Sequence, residues 1–589
     1  MSALKTIVHD TDICVVGGGL AGICAAVSAA RRGSRVVIMQ DRPMFGGNAS
    51  SEIRMWVCGA QGKDVRETGI VEEIEMDNFY RNPEKNHCIY DSIFFEKVFL
   101  EKNITMLLNC SCMDAQMNGS EIVSVTGWQL TTQQFHKVNA KIFIDCSGDS
   151  ILAPLTGAEY RFGRESCHEF QEDIAPEQAD RHTMGMSCLI QARESTEPSY
   201  FTPPSWAEKY THDGLSRRPH LEDAGENFWY LELGGMGNTI DDTEKVRNEL
   251  LAVGYGMWDY CKNDPVVAEK NRNWHFDWMG MLPGKRESRR YVGDYIMNQN
   301  DVRSEGRFED LIAYGGWSMD DHHPAAFRTD EPPTIFHPAP SPYGIPYRCL
   351  YSKNIDNLMF AGRNISVTHS ALSSTRVMLT CGILGQAAGT AAELALEKGV
   401  TVREVYTKGL VPQLQRRLME DDCYLPFRVR PISELTQKAQ LVCTSSDAEN
   451  LRNGIDRSIG DQDNGWQAAP GQTAEYRFAS PEHLTRVRIV FDSDLNRQTL
   501  PEAEVRLKRD MIHNRPLSFE PSYVPKTMTR AYRLEAVLPD GSVQVLAEVQ
   551  NNHHRLCRHE IDVTATAIRL TPLQSWGNDA CHVFALDVE

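Results

Sequence analysis

The chain has 589 residues, with 61 basic and 80 acidic side chains and a formal charge of −19. That acidic balance, without clustered Lys and Arg, excludes a protein that grips phosphate backbones, so no nucleic-acid partner is expected. At about 150 residues per domain the length allows about four domains, and no run approaches the ~18 uncharged apolar residues of a membrane span. The first residues, MSALKTIVHDTD, lack the apolar core of a secretory leader. In chain order, DICVVGGG (12–19) is a short β-branched run ending in glycines. Alanine-rich Leu20 to Arg32 follows as a helix, and Ser34 to Gln40 is a second apolar strand.

This strand–turn–helix–strand order puts Gly17, Gly19 and Gly22 in a GxGxxG pattern in the context that gives it meaning, a dinucleotide-binding unit. Gly17 is expected to make the tight turn, Gly19 to let a pyrophosphate approach the backbone, and Gly22 to let helix and strands pack closely. The helix start then offers unpaired N–H groups to the phosphates. The acidic residue that usually takes the ribose hydroxyls falls at Gln40, with Asp41 beside it, and both stay candidates. A second glycine pair follows in MFGGNASSEIRMW (44–56), where Glu52, Arg54 and Trp56 are further pocket candidates.

KIFIDCSGDS (141–150) reads as a strand ending in Asp145 with a Gly148-Asp149 turn. Between 161 and 340 the character changes: six of the ten tryptophans fall between Trp206 and Trp317, among polar, Pro-containing stretches. In Lys285-Arg286-Glu287-Ser288-Arg289-Arg290, strand geometry would put Arg286, Ser288 and Arg290 on one face and Glu287 and Arg289 on the other. Gly315 to Pro324 sets Asp320 and Asp321 beside His322 and His323. Residues 324–348 carry seven prolines and read as an extended crossover. NLMFAGRNISVTH (357–369) is a strand followed by Gly362-Arg363, and CGILGQAAGTAAELAL (381–396) is a helix of small residues.

Together, GGNASSEIR, GKRESRR, GGWSMDDHHP and AGRNISVTHSALSSTR resemble an FAD-dependent oxidoreductase family of bacterial sugar-degrading loci, with the glutathione-reductase-type FAD fold. The resemblance runs over about residues 10–425. It implies a bound FAD cradled by Gly17, Gly18, Gly19 and Gly22, with Gln40 or Asp41 at the ribose and Gly46-Gly47-Asn48 leading to the ring. Asp145, Gly148, Gly362 and Arg363 would complete the site. A helix opening near Ser373-Ser374-Thr375-Arg376 would aim its amides at the flavin pyrimidine. The resemblance also sets His369 beside the ring as a candidate base, with His322 and Asp320 as the rival pair. A His–Asp pair can take a hydroxyl proton as hydride leaves to flavin N5. Arg286 and Arg289 are candidate acids if the flavin instead reduces an activated C=C bond.

After a charged helical connector (401–435), short alternating segments such as AEYRF, LTRVRIVFDSDL and TAIRLTPLQS predict a β-sandwich. The stretch from Asn450 to Phe478 resembles the opening of galactose-binding-like jelly rolls. The expected architecture is an α/β FAD-binding Rossmann-type domain (1–160 and 341–400) with an inserted α+β substrate or cap domain (161–340). A C-terminal all-β jelly-roll sandwich (436–589) follows. Sixteen cysteines, scattered and without a CxxC pair, fit a reduced, cytoplasmic setting and predict no metal site. The expected partner is a small carbohydrate-like substrate stacked on the mid-chain aromatics, with no membrane, and a homo-oligomer is compatible with the β-rich tail. A carbohydrate-binding scaffold with a vestigial FAD is the non-enzyme alternative.

Overall fold

The computed structural model describes residues 4–215, 219–225, 228–498, 511 and 514–589. They form two compact units. The first comprises the described residues of 4–59, 85–411 and 511–520, and the second those of 60–84, 412–498 and 521–589.

At the centre of the first unit is a five-stranded sheet whose order is Leu358–Phe360, Ile142–Asp145, Ile13–Val16, Val36–Met39, Ile104–Leu107. All its pairings are parallel. The strands at 13–16, 36–39 and 142–145 are buried along their whole length, which is why they read as unbroken apolar runs rather than alternating ones. Helix Leu20–Arg31 packs beside them, and helix Met378–Lys398 packs against that helix. The small residues of the second helix serve this contact: a Cβ on Gly385 would lie 2.0 Å from the Ala21 carbonyl oxygen, and one on Gly389 2.2 Å from that of Ala25. Helix Met378–Lys398 is long and apolar enough to cross a membrane, yet 94% of its apolar window is buried inside the protein. A second, four-stranded sheet runs Thr6–Asp10, Gln134–Asn139, Glu121–Gln129, Cys110–Asn118.

The mid-chain region is built from short antiparallel pairs around helix Thr243–Asn263. Its core includes Trp258, Trp274 and Phe228, so part of the tryptophan cluster is simply interior. Two sequence expectations change here. Strand Gly284–Lys285 pairs with Met186–Ser187, whereas Arg290–Tyr291 pairs with Tyr160–Arg161, so residues 285–290 do not form one two-faced strand. The proline-rich 324–348 stretch is more than a crossover, because its strand Thr334–His337 pairs antiparallel with Met319–His322.

The second unit has a seven-stranded, wholly antiparallel sheet with two long strands, Ala474–Phe491 and Leu556–Ser575. Strand Cys581–Val588 is buried throughout, and its lack of alternation hid it from a period-2 reading. Helix Ile70–Arg81 lends Met76 and Phe79 to the same core. Its Glu72 receives both Nη1 (3.0 Å) and Nη2 (2.7 Å) of the buried Arg497, a bidentate pairing of two otherwise unaffordable interior charges.

Candidate active site

The carboxyl ends of the parallel strands open on a cavity of about 530 Å³, within the range usual for ligand sites. One part of its wall is the glycine turn. Gly17 has φ +101°, and a Cβ there would lie 2.5 Å from the Cys146 backbone, so no other residue fits without moving the neighbouring strand's exit. Gly17, Gly18 and Gly19 line the cavity, as do Gly46, Gly47 and Asn48. Gly22 does not. Its role is the predicted close packing, since a Cβ would meet the Gly17 carbonyl oxygen at 1.8 Å.

Gln40 and Asp41 both reach the cavity. Gln40 also braces the turn: its Oε1 accepts from the Gly18 N–H at 2.7 Å and its Nε2 donates to the Met44 carbonyl at 3.2 Å. A glutamate could accept the first bond but not donate the second. Gly148, Asp149, Gly362 and Arg363 also line the cavity, and a Cβ on Gly148 would meet the Arg363 guanidinium at 2.9 Å. Asp149 accepts from Lys285 Nζ (2.7 Å), Arg363 Nη2 (2.8 Å) and Ser288 Oγ (2.7 Å). Burial alone would raise its carboxyl, but Arg363 and Lys285 hold it well below the usual range, so it stays ionised. Asp145, by contrast, never reaches the cavity. Its carboxylate is consumed by Tyr291 OH (2.7 Å), Ser147 Oγ (2.7 Å) and the Leu152 N–H (2.9 Å), which fold the 145–152 turn.

The cavity lining also includes Trp229, Trp317 and Phe336 together with Arg286, Asp320, His322 and Arg376. His322 is buried, its Nδ1 2.6 Å from Glu232 Oε2 and its Nε2 3.3 Å from Asp320 Oδ2. Glu232 also lies 3.3 Å from Arg286 Nη1, and Asp320 accepts from Arg376 Nη2 at 3.1 Å. Burial would raise both carboxyls, yet their cationic and imidazole partners keep both below the ordinary range. Glu232 was not singled out in the sequence, although a lone carboxylate in the apolar run FWYLELGG was a sign of a buried, paired charge.

His369 sits elsewhere. Its Nδ1 is 2.8 Å from Glu287 Oε2 and its Nε2 3.0 Å from Asp321 Oδ1. Burial pulls its pKa down, but the two carboxylates push it up to about 10. Both nitrogens are committed to carboxylates and, unlike His322, the ring is off the cavity wall, so the expectation of His369 as a proton acceptor is corrected. Arg289 is likewise turned away, donating to the Ser150 carbonyl at 3.2 Å and lying over Tyr160. Ser374 is spent on the Trp317 carbonyl and the Tyr343 hydroxyl. Among the described residues of the cavity wall, neither Ser374 nor Thr375 appears; Arg376 takes their place. Glu52 and Arg54 also lie off the wall, whereas Trp56 is on it.

Three cationic donors of wall residues, Arg42 Nη1, Arg363 Nε and Arg376 Nε, are buried without a hydrogen-bond partner in the protein. Such orphaned donors beside a glycine turn fit a ligand bearing phosphates and a polar ring. Residues 12–418 match the family described as FAD dependent oxidoreductase. The chain belongs to that family. It is an FAD-dependent oxidoreductase, and the glycine turn, Gln40, Asp41 and the 46–48 loop are the groups that fit FAD. A fumarate reductase (cytochrome) of Shewanella frigidimarina is 47% identical over 49 residues. That match covers 8% of this chain and 9% of the relative, so the chain spans less than a tenth of the curated relatives it matches. A geranylgeranyl bacteriochlorophyll reductase-like protein of Thermoplasma acidophilum is similar over 70% of this chain and 86% of its own, at 12% identity and TM-score 0.31. The family 32 carbohydrate-binding module of Streptococcus pneumoniae EndoD is similar over 27% of this chain and 99% of its own, at 15% identity and TM-score 0.20.

Proposed function

We propose that this oxidoreductase dehydrogenates a hydroxyl of a sugar or sugar derivative, with His322 accepting the O–H proton. The observation that carries the reading is the cavity lining, in which aromatic rings and a paired His–carboxylate group share the space that the glycine turn also lines. When bound, FAD supplies the two-electron acceptor. Glu232, 2.6 Å from Nδ1, holds that nitrogen as the N–H donor, and a substrate hydroxyl would replace the longer 3.3 Å contact between Nε2 and Asp320 Oδ2, so that Nε2 becomes the accepting atom. Asp320 is already engaged by Arg376 and Thr334, so it orients the ring and offers its remaining lone pairs to substrate hydroxyls. Trp229 and Trp317 suit the C–H faces of a sugar ring.

A second reading, reduction of an activated C=C bond, is favoured by the Arg286 and Arg376 guanidinium groups in the same lining and by the name of the fumarate reductase relative. Each arginine, however, is matched by a carboxylate, Arg286 by Glu232 and Arg376 by Asp320. That balance suits hydroxyls better than a dicarboxylate, which would need uncompensated positive charge. In an anaerobic screen of monosaccharides and glycosides, at least one is expected to bleach the flavin. His322→Ala is expected to slow that bleaching by roughly 10²–10⁴-fold with little change in substrate affinity. Bleaching by none of them, together with reoxidation of the pre-reduced enzyme by an enoate, would replace the first reading with the second.

A further inference from the structure

The second unit holds another polar cluster, remote in sequence from every motif above. Asp77 is on helix Ile70–Arg81 with its side chain 2% exposed. Two consecutive histidines beyond strand Val543–Val549 converge on it: His553 Nε2 and His554 Nε2 each lie 3.0 Å from Asp77 Oδ1. All three atoms fall within 4.8 Å of one another. Neighbouring side chains usually diverge, but here the packing turns both rings to the same point. Tyr80, one helical position from a full turn past Asp77, stacks on His553 at 4.0 Å with the planes 6° apart. The two imidazoles lie 4.3 Å apart and 49° from parallel.

We propose that Asp77, His553 and His554 form a divalent-cation site of the kind that takes Zn²⁺. Two imidazole nitrogens and one carboxylate oxygen are a borderline donor set, matched to zinc rather than to calcium or magnesium, which prefer all-oxygen shells. In a tetrahedral site with ligand bonds of about 2.0–2.2 Å the ligand atoms stand roughly 3.4 Å apart. The observed 3.0 Å separations therefore need to open by only a few tenths of an ångström. His554 is 36% exposed, which gives the ion an entry and leaves a coordination position for water. The cluster already draws positive charge: Arg81 Nη2 lies 3.6 Å from the same Asp77 oxygen, and its side chain, 35% exposed, has solvent to move into when a doubly charged ion takes its place. Such an ion would tie the helix to the loop after strand Val543–Val549 by bonds stronger than the present hydrogen bonds.

The test uses the full-length, FAD-loaded protein cleared with a chelator and then titrated with Zn²⁺, with bound metal counted after desalting. Uptake of about one equivalent is expected. His554→Ala, which removes a partly exposed ligand without opening the core, should weaken binding by roughly tenfold or more. Arg81→Ala keeps every ligand and should bind Zn²⁺ at least as tightly. Co²⁺ in the wild-type protein should give tetrahedral d–d absorption to the red of the oxidised flavin band, absent in His554→Ala. The flavin spectrum should be the same in all three proteins. No Zn²⁺ retained by the wild type, or equal retention by wild type and His554→Ala, overturns the proposal.

Discussion

Asp320 and Asp321 are adjacent in sequence and serve opposite networks. On strand Met319–His322 their side chains alternate, so Asp320 joins His322 and Arg376 at the cavity while Asp321 holds His369. Arg286 and Glu287 divide in the same way, the first to Glu232 and the second to His369. A linear reading could find the charged residues but not sort them, because the sorting depends on partners contributed from Glu232 and Arg376. His369 was the clearest loss: proximity to the last helix drew it towards the ring, and only the folded structure shows it off the cavity wall, held between Glu287 and Asp321. A related device lies in the second unit, where His582 sits between Asp463 (3.0 Å) and Asp492 (3.1 Å). Burial opposes its charge, but the two carboxylates raise its pKa to about 9. The folded state thus binds this proton more tightly than the unfolded chain, whose histidine titrates near 6.5. The stabilisation is complete below about pH 6.5 and disappears as pH rises through about 9. The melting temperature is therefore expected to fall across that window, and calorimetry of His582→Asn should show a flatter dependence with a lower acid-side value. An equal slope in the variant would mean that other groups set it.

At the scale of elements, the strand–turn–helix unit was legible because its signals are local: an apolar run, a left-handed glycine, and a helix that must approach a strand closely. Gly22→Val tests the packing half of that unit apart from cofactor contact, since Gly22 is off the cavity wall. With the Gly17 carbonyl oxygen 1.8 Å from the added Cβ, the helix must move away and carry the phosphate-facing amides with it. The purified variant is expected to be nearly colourless in the visible flavin band, with FAD affinity lowered by at least about tenfold on reconstitution. A yellow protein of ordinary affinity would show that the helix start tolerates the shift. The short mid-chain strands were poorly legible for the opposite reason. Pairs such as Gly284–Lys285 with Met186–Ser187 are two residues long and owe their existence to partners about a hundred positions away, not to any periodicity of their own.

At the scale of the whole molecule, the second unit is built from three stretches of chain, 60–84, 412–498 and 521–589. Nothing in the composition of Ile70–Arg81 marks it as belonging to the β-rich unit; five of its twelve residues are charged. Its apolar contribution rests on few side chains, so each counts. Phe79 is fully buried in that core, and Phe79→Ala is expected to destabilise the second unit by about 3–5 kcal/mol. In a thermal melt followed in the full-length protein this should appear as an earlier loss of β-sheet signal. An unchanged melt would show that the helix is dispensable to the sheet.

The same connectivity imposes an order of events during synthesis. Met76 and Phe79 leave the ribosome long before the strands that will cover them, with 327 residues, 85–411, translated in between. At roughly 5–20 residues per second that is a wait on the order of tens of seconds, far longer than a helix needs to form. During that wait a segment with bare aromatic and thioether side chains is open to chaperones and to premature association. The yield of intact protein should thus respond to translation speed more than its finished stability would suggest.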